Sequence, residues 1–197
     1  RVGFMTELEP SEVGSRINDY LGDKAWVEER SMLQAKLISN NPDKSNYFHV
    51  LNEVVVGRNT ITRLVHLGVQ VDGIDLTTYR SDALIISTAT GSTGYSLSAG
   101  GPILYPQSED IIAVPVAPHM SIGRSIVLPK ESVIDINLLS DTEAVVSLDG
   151  RIDITLEPNQ TIQIKRSPHI ATFLRANDDG RFYRMLNEKL KMNTNSF

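Results

Sequence analysis

Short segments in which apolar and polar residues alternate make up most of the chain, and this pattern predicts strands. In 134–138, three apolar residues alternate with polar ones. Segments 144–148 and 152–156 flank Asp149-Gly150, a dipeptide that favours a tight hairpin turn. A polar segment with a proline predicts a hairpin loop over 40–46. Further strands are predicted at 26–30, 33–38, 49–56, 61–67, 69–76, 83–87, 161–165 and 170–174.

Helical periodicity is found only near the two ends of the chain. Apolar residues recur every fourth position over 11–21, which predicts a short helix that ends at Gly22. A second helix is predicted over 181–191. Many short strands with few helices favour a mainly β, two-sheet β-sandwich-like fold over a doubly wound βαβ fold.

Composition narrows the class of protein. The 197 residues are 41% hydrophobic and 22% charged, as in an ordinary globular protein. The chain has no cysteine, which excludes disulfides and thiol chemistry and fits a cytoplasmic location. A net charge of −5 argues against a nucleic-acid partner. No apolar run is long enough to span a membrane, and we see no signal peptide.

One segment, 87–102, has the composition of a ligand-binding loop. Eleven of its sixteen residues are Ser, Thr or Gly, and it directly follows a predicted buried strand. Gly91 and Gly94 permit close backbone approach and positive φ, and Ser92 or Thr93 is a candidate cap for a short helix. The hydroxyls available to a ligand are those of Thr90, Thr93 and Ser98. A flexible linker is disfavoured because apolar residues interrupt the segment, and no Walker-type lysine follows the glycines.

A second candidate is the pair Asn52-Glu53 inside an otherwise apolar run. Adjacent residues on a strand point to opposite faces, so one of the two polar side chains would point inward. An inward polar group is unfavourable unless it is satisfied, which suggests a ligand. An edge strand or a bulge explains the pair equally well.

Taken in order, these motifs resemble the NAD kinase family. The resemblance covers nearly the whole chain, and its most specific part is the long Gly-Ser-Thr-x-Tyr segment. The matching segments are Gly3-Phe4-Met5-Thr6-Glu7, Leu51-Asn52-Glu53, Ser81-Asp82-Ala83, the loop 87–102, Pro118-His119, Val127-Leu128-Pro129 and Leu148-Asp149-Gly150.

The family's Gly-Gly-Asp-Gly motif is absent from this sequence. In the family, that motif lies on an N-terminal α/β domain, binds the phosphoryl donor and supplies the aspartate base. The resemblance therefore implies a C-terminal, NAD-binding domain over 1–175 and no catalytic residue in this chain. It also implies a C-terminal helix and tail over 176–197 that would pack on the N-terminal domain.

The resemblance implies phosphorylation of the adenosine-ribose 2′-hydroxyl of NAD, giving NADP, with ATP or polyphosphate and a divalent metal such as Mg²⁺. Asn52 and Glu53 would hold the adenosine ribose, and Thr93 and Gly94 would line the adenine pocket. Tyr95 would lie near the pyrophosphate, from the same subunit or a neighbouring one.

The nicotinamide half of NAD is assigned in the same way. Ser98 would contact its ribose and Asp82 its amide. Asp149 would either lie near the nicotinamide end, across a subunit interface, or serve only its hairpin turn. Arg80 would either meet a 2′-phosphate or remain a solvated charge. The four histidines show no metal-ligand spacing, and we assign no metal site.

Two alternatives to an NAD kinase remain. A non-catalytic NAD(P)-binding or assembly module would also lack the catalytic motif. A related lipid kinase would need an apolar, lipid-admitting pocket and would lack the tyrosine-bearing loop. The resemblance further implies a homodimer or homotetramer.

Overall fold

The computed structural model describes residues 5–23, 25–38, 47–60, 63–119, 123–176 and 180–194, the last six of them by backbone alone. It contains twelve described strands: β1 Trp26–Ile38, β2 Tyr47–Val50, β3 Glu53–Arg58, β4 Val65–Val71, β5 Ile74–Ser81, β6 Ala83–Ser87, β7 Ile111–Val116, β8 Ile126–Leu128, β9 Ile134–Leu138, β10 Ala144–Leu148, β11 Ile152–Leu156 and β12 Thr161–Arg175. The described helices are α1 Val13–Leu21, α2 Tyr95–Ser98 and α3 Arg181–Thr194, with 3-10 turns at Pro10–Glu12 and Gly91–Thr93.

The strands form two six-stranded sheets, which confirms the two-sheet prediction. The first sheet has the order β2-β1-β12-β9-β4-β5 and the second the order β11-β10-β3-β6-β7-β8. Every neighbouring pair in the second sheet is antiparallel. In strands that alternate, such as β9 and β10, the apolar face is turned inward and the other face is half-buried.

Two compact units make up the chain. One comprises residues 30–171, and the other comprises 1–29 together with 172–197. In the smaller unit, Arg175 donates to the Glu28 carboxylate at 2.6 Å, and both side chains are buried. The proposed domain limits, 1–175 and 176–197, remain a prediction.

Both faces of the second sheet are covered in the larger unit. One face contributes residues such as Val54, Leu84 and Val146 to the main core. On the other face, Ile85, Ile112 and Val114 form a second cluster with residues of the loop that contains α2. Strand β6 is therefore buried along its whole length, which explains its continuous apolar sequence.

Several predicted boundaries were wrong. The chain makes one strand over 26–38 and one over 161–175 where two were predicted in each case, and α3 extends to 194. Gly68 lies within β4, and the turn forms at Asp72-Gly73, where both residues have positive φ. An Asp-Gly pair adopts that turn more readily than a lone glycine. Strands β7 and β8 were not predicted, and the predicted loop 40–46 lies outside the described residues.

The predicted strand 49–56 is in fact two strands. β2 ends at Val50 and β3 begins at Glu53, so that Leu51 and Asn52 form a break between them. The backbone groups of this break bond outside the sheet ladder. That break is where the candidate site begins.

Candidate nucleotide-binding site

The segment after β6 is bonded directly to the break between β2 and β3. The backbone N–H of Thr88 donates to the Asn52 carbonyl at 2.9 Å, and the Thr88 hydroxyl donates to the Leu51 carbonyl at 2.7 Å. The Ser87 hydroxyl also donates to the Asn52 carbonyl, at 3.2 Å. These bonds bring the two motifs singled out in the sequence into one cluster.

Gly91 is packed against the same break. A Cβ atom at Gly91 would overlap both the Asn52 carbonyl oxygen and the Ser87 hydroxyl oxygen. Close backbone approach is therefore the reason for this glycine. Positive φ is not the reason at either predicted position: the described glycines with positive φ are Gly73, Gly100 and Gly150.

The loop hydroxyls mainly hold the loop itself. Ser92 donates to the Ala89 carbonyl at 2.6 Å and accepts from the Leu104 N–H at 3.1 Å. Thr93 donates to the Thr90 carbonyl at 3.3 Å. Neither Ser92 nor Thr93 caps α2, which starts after Gly94 without a side-chain cap, so that prediction was wrong.

Asp149 lies across the break from the loop. One of its carboxylate oxygens accepts from the backbone N–H groups of Asn52, at 2.8 Å, and Glu53, at 3.0 Å. The other oxygen accepts from the Leu51 N–H at 2.8 Å. The Asp149 N–H in turn donates to the Glu53 carbonyl at 3.0 Å. One carboxylate thus binds three successive backbone donors.

Glu53 carries a half-buried carboxyl group in this cluster. Its Oε2 atom is buried and has no hydrogen-bond partner among the described residues, and a Cβ at Gly94 would lie 3.4 Å from it. Burial, followed by the negative charge of Asp149, raises the pKa of Glu53 to about 7. A carboxyl group that titrates near neutrality and lacks a donor is suited to receive a polar ligand.

The Asn52 side chain differs from the Asn52 backbone in its hydrogen bonding. Within the described residues, the Asn52 carbonyl and N–H are bonded on both sides of the break, while its amide group makes no hydrogen bond. The amide is therefore available to a ligand. A substitution at Asn52 can remove that group without disturbing the backbone bonds.

A pocket of about 420 Å³ lies on the face of the second sheet that points away from the main core. Tyr95, the residue that follows Gly94 in the chain, lines it. Asp82 lines it and pairs with Arg58 at 3.2 Å. We name it the Tyr95 pocket, and its lining residues are Val55, Gly57, Arg58, Asp82, Ala83, Tyr95, Val116, Val145, Ser147 and Asp153. Apolar and polar residues both line it, so it can contact both the apolar and the polar groups of an organic ligand.

The structure separates Arg80 from these residues. Arg80 is exposed, and its Nε donates to His66 Nε2 at 3.2 Å. It lines a different pocket, of about 360 Å³, together with Arg63, Leu64, His66, Leu139, Ser140, Asp141 and Thr142. Arg80 and Asp82, two residues apart in sequence, thus face two different pockets.

Thr90 and Ser98 occupy contrasting positions. Thr90 is buried and accepts a hydrogen bond from Arg30 at 3.1 Å, so its hydroxyl helps to fix the loop. Ser98 is exposed at the end of α2.

Sequence reasoning missed several residues of the site. Arg58, Ser147 and Asp153 line the Tyr95 pocket. The outward positions of Ser147 and its cross-strand partner Asp153 follow from the two-residue period of their strands. Arg58 has the parity of the core residues Val54 and Val56, so the period does not predict its place in the pocket. The three bonds of Asp149 had no local signal, because its partners lie 96 to 98 residues away in sequence.

The described residues provide no candidate metal site. No three His, Asp or Glu side chains in that part of the chain lie close enough together to hold an ion. No helix there combines the length and the apolar character that a membrane span requires.

Known proteins resemble this chain in sequence. Residues 51–176 match the family model described as the ATP-NAD kinase C-terminal domain. An NAD kinase from Dehalococcoides mccartyi is 40% identical over 196 residues, which are 100% of this chain and 69% of the relative. An NAD kinase from Chloroflexus aggregans is 38% identical over 190 residues, or 96% of this chain and 68% of the relative.

Solved structures resemble it in fold. A yeast NADH kinase complexed with NADH matches 100% of this chain and 57% of its own, with a TM-score of 0.88 and 28% identity. An NAD kinase from Archaeoglobus fulgidus in complex with ATP matches 95% of this chain and 69% of its own, with a TM-score of 0.78 and 28% identity. The matched proteins are thus longer than this chain.

Proposed function

Because this chain belongs to the NAD kinase family, we propose that it supplies the NAD-binding domain of an enzyme that phosphorylates the adenosine-ribose 2′-hydroxyl of NAD to give NADP. ATP or polyphosphate would be the donor, as the ATP complex of the archaeal relative supports for ATP. The observation that carries the proposal is the cluster of Asn52, Glu53 and the loop 87–94, in which a free amide and an unpartnered carboxyl group lie together.

In this proposal, the amide of Asn52 and the carboxyl group of Glu53 hold the adenosine ribose. An amide both donates and accepts, and a carboxylate accepts from ribose hydroxyls. Thr93 and Gly94 line the adenine side, and Thr90 supports the loop. Residues farther along, Tyr95, Ser98 and Asp82, hold the pyrophosphate and the nicotinamide half.

Arg80 retains the role of meeting a 2′-phosphate only as a proposal, because it lines a different pocket from Asp82. A divalent metal would enter with ATP. The described residues supply no cluster of ligands for it, so we assign it no step here.

The homodimer or homotetramer and the cytoplasmic location also remain predictions. Tyr95, Leu97 and Tyr105 support self-association, because all three are exposed and lie on one loop.

The test of the binding site is the variant Asn52→Ala. We expect NAD affinity to fall at least about tenfold, since a ligand hydrogen bond is lost, while unfolding stays close to that of the unchanged protein. Calorimetric titration with NAD measures the first quantity, and denaturant unfolding the second. A matched control is Asn159→Gly, which keeps a positive φ in the turn between β11 and β12, where the Asn159 N–H donates to Leu138 of the first sheet, and should leave NAD affinity unchanged. Unfolding of Asn52→Ala without a separate loss of affinity would make the residue structural.

NAD affinity should depend on pH through Glu53. Its pKa of about 7 lies above the ordinary value, so the carboxyl group is protonated below neutrality and must ionise to accept from both ribose hydroxyls. We therefore expect affinity to rise from about pH 5 to pH 8, by roughly tenfold per unit below the pKa.

The same titration with Glu53→Gln provides the control, because an amide cannot ionise. We expect a flat pH profile and a weaker maximum affinity. Folding responds in the opposite direction: the raised pKa means that the contribution of Glu53 to stability is complete below its unfolded pKa and is lost as pH rises through about 7. If Glu53→Gln retains the pH profile of the unchanged protein, another group is responsible.

The second candidate function is a non-catalytic NAD(P)-binding or assembly module. Both candidates require NAD binding, and they differ in whether NADP is formed by the protein that carries this chain.

A further inference from the structure

We propose that Asp149 is a positioning residue: it orients Asn52 and Glu53 for NAD from within the same chain, and it does not itself contact NAD. This inference rests on the proposed function. It replaces both earlier interpretations of Asp149, a contact at the nicotinamide end and a residue of the hairpin turn alone.

The geometry of the turn does not require the carboxylate group of Asp149. Asp149 and Gly150 both have positive φ, at 51° and 62°, and the Arg151 N–H donates to the Leu148 carbonyl at 3.0 Å. Asn or Gly would satisfy this turn as well as Asp. An Asp side chain in a turn normally bonds its own nearby backbone. Here both carboxylate oxygens accept instead from residues 51–53.

These bonds fix the segment that bears the ligand groups. Three successive N–H groups converge on one carboxylate, and bonds to an ionised acceptor are stronger than neutral ones. On the other side, Thr88 and Ser87 bind the carbonyl of Asn52. The break between β2 and β3 is therefore held from both sides, while the Asn52 amide and the Glu53 carboxyl group remain outside these bonds.

Asp149 also sets the charge that Glu53 experiences. Burial is the larger cause of the raised Glu53 pKa, and the negative charge of Asp149 raises that pKa further. Ser87, which faces Glu53 from β6, and Gly94, which follows the 3-10 turn, are uncharged. Removing the charge of Asp149 should lower the pH at which Glu53 ionises, which a purely structural role would not do.

The first test uses Asp149→Asn in the intact protein, because asparagine keeps the turn and one acceptor oxygen while it removes the charge. We expect NAD affinity at pH 8 to fall about tenfold or more, since charged hydrogen bonds are lost. We also expect the midpoint of the pH profile of NAD binding to move below that of the unchanged protein. Asp149→Gly, which keeps the turn and removes all three bonds, should weaken binding further.

A matched control lies in a second Asp-Gly turn, at Asp72-Gly73. Asp72 has a φ of 53°, precedes Gly73, and accepts the Val133 N–H on its carboxylate at 2.8 Å. Asp72→Asn makes the same chemical change in the same kind of turn, away from the site. It should leave both NAD affinity and the pH midpoint unchanged.

A mutant cycle that treats Asn52→Ala and Glu53→Gln as one combined change separates positioning from direct contact. If Asp149 acts through its neighbours, Asp149→Asn should have little further effect on affinity in a protein that already carries both Asn52→Ala and Glu53→Gln. Additive losses would show a direct contact with NAD and overturn the proposal. An unchanged affinity and pH midpoint in Asp149→Asn would also overturn it. If the unchanged protein binds no NAD, the proposed function itself fails.

Discussion

The purified chain of 197 residues is expected to bind NAD and to form no NADP from NAD, ATP and Mg²⁺. Phosphorylation of a ribose hydroxyl needs a base for its proton and a site for the donor, and the sequence lacks the Gly-Gly-Asp-Gly motif that supplies both in the family it belongs to. Loss of a general base alone reduces a rate roughly 10²–10⁴-fold, and loss of the donor site reduces it further. Calorimetry checks binding, and enzymatic detection of NADP checks turnover.

Turnover by the chain alone would point to Glu53. It is the carboxyl group of the cluster whose pKa lies near 7, which is the property of an effective base at neutral pH. In that case Glu53→Gln should abolish NADP formation, and the assignment of no catalytic residue to this chain would be wrong. If turnover persists in Glu53→Gln, neither assignment holds. A longer protein that contains both this chain and the missing motif is the positive control.

The parts of the fold that sequence predicted well depend on short-range signals. Strands β6, β9, β10 and β11 lie where they were predicted, because alternation and an Asp-Gly turn are encoded within a few residues. Helix α1 follows in the same way from its four-residue period.

The break between β2 and β3 could not be predicted, because the residues that hold it are distant in sequence. Residues 49–56 have the composition of one strand. The N–H groups of 51–53 donate to Asp149, nearly a hundred residues later, and the carbonyls of Leu51 and Asn52 accept from Ser87 and Thr88. Adjacent positions on one strand predicted opposite faces for Asn52 and Glu53. That rule does not apply at a break.

The separation of Arg80 from Asp82 has a similar origin. Residues two apart would share a face only if they lay on a single strand. β5 ends at Ser81 in the first sheet, and β6 begins at Ala83 in the second. Asp82 therefore lies where the chain passes from one sheet to the other, and its neighbours belong to different pockets.

The variant Gly91→Ala is expected to disrupt the site and to destabilise the protein. A methyl group at Gly91 would overlap the Asn52 carbonyl oxygen and the Ser87 hydroxyl oxygen, and the first of these is backbone that cannot rotate away. Overpacking of this kind costs about 1–3 kcal/mol of unfolding free energy, and contact with backbone places this case at the upper end. Relief by movement of the loop would break the bonds from Thr88 to the Leu51 and Asn52 carbonyls, now 2.7 and 2.9 Å.

Both the overlap at Gly91 and movement of the loop would separate the loop from the break between β2 and β3. NAD affinity should therefore fall by more than the tenfold expected for Asn52→Ala. Denaturant unfolding and calorimetric titration measure the two effects. Gly14→Ala is the matched control: a Cβ there meets nothing within 4 Å, and the helical position should gain up to about 1 kcal/mol. Normal stability and NAD affinity in Gly91→Ala would show that the loop is not bound to the break in solution. The cluster of Asn52, Glu53 and residues 87–94 would then lose the contact on which the binding site depends.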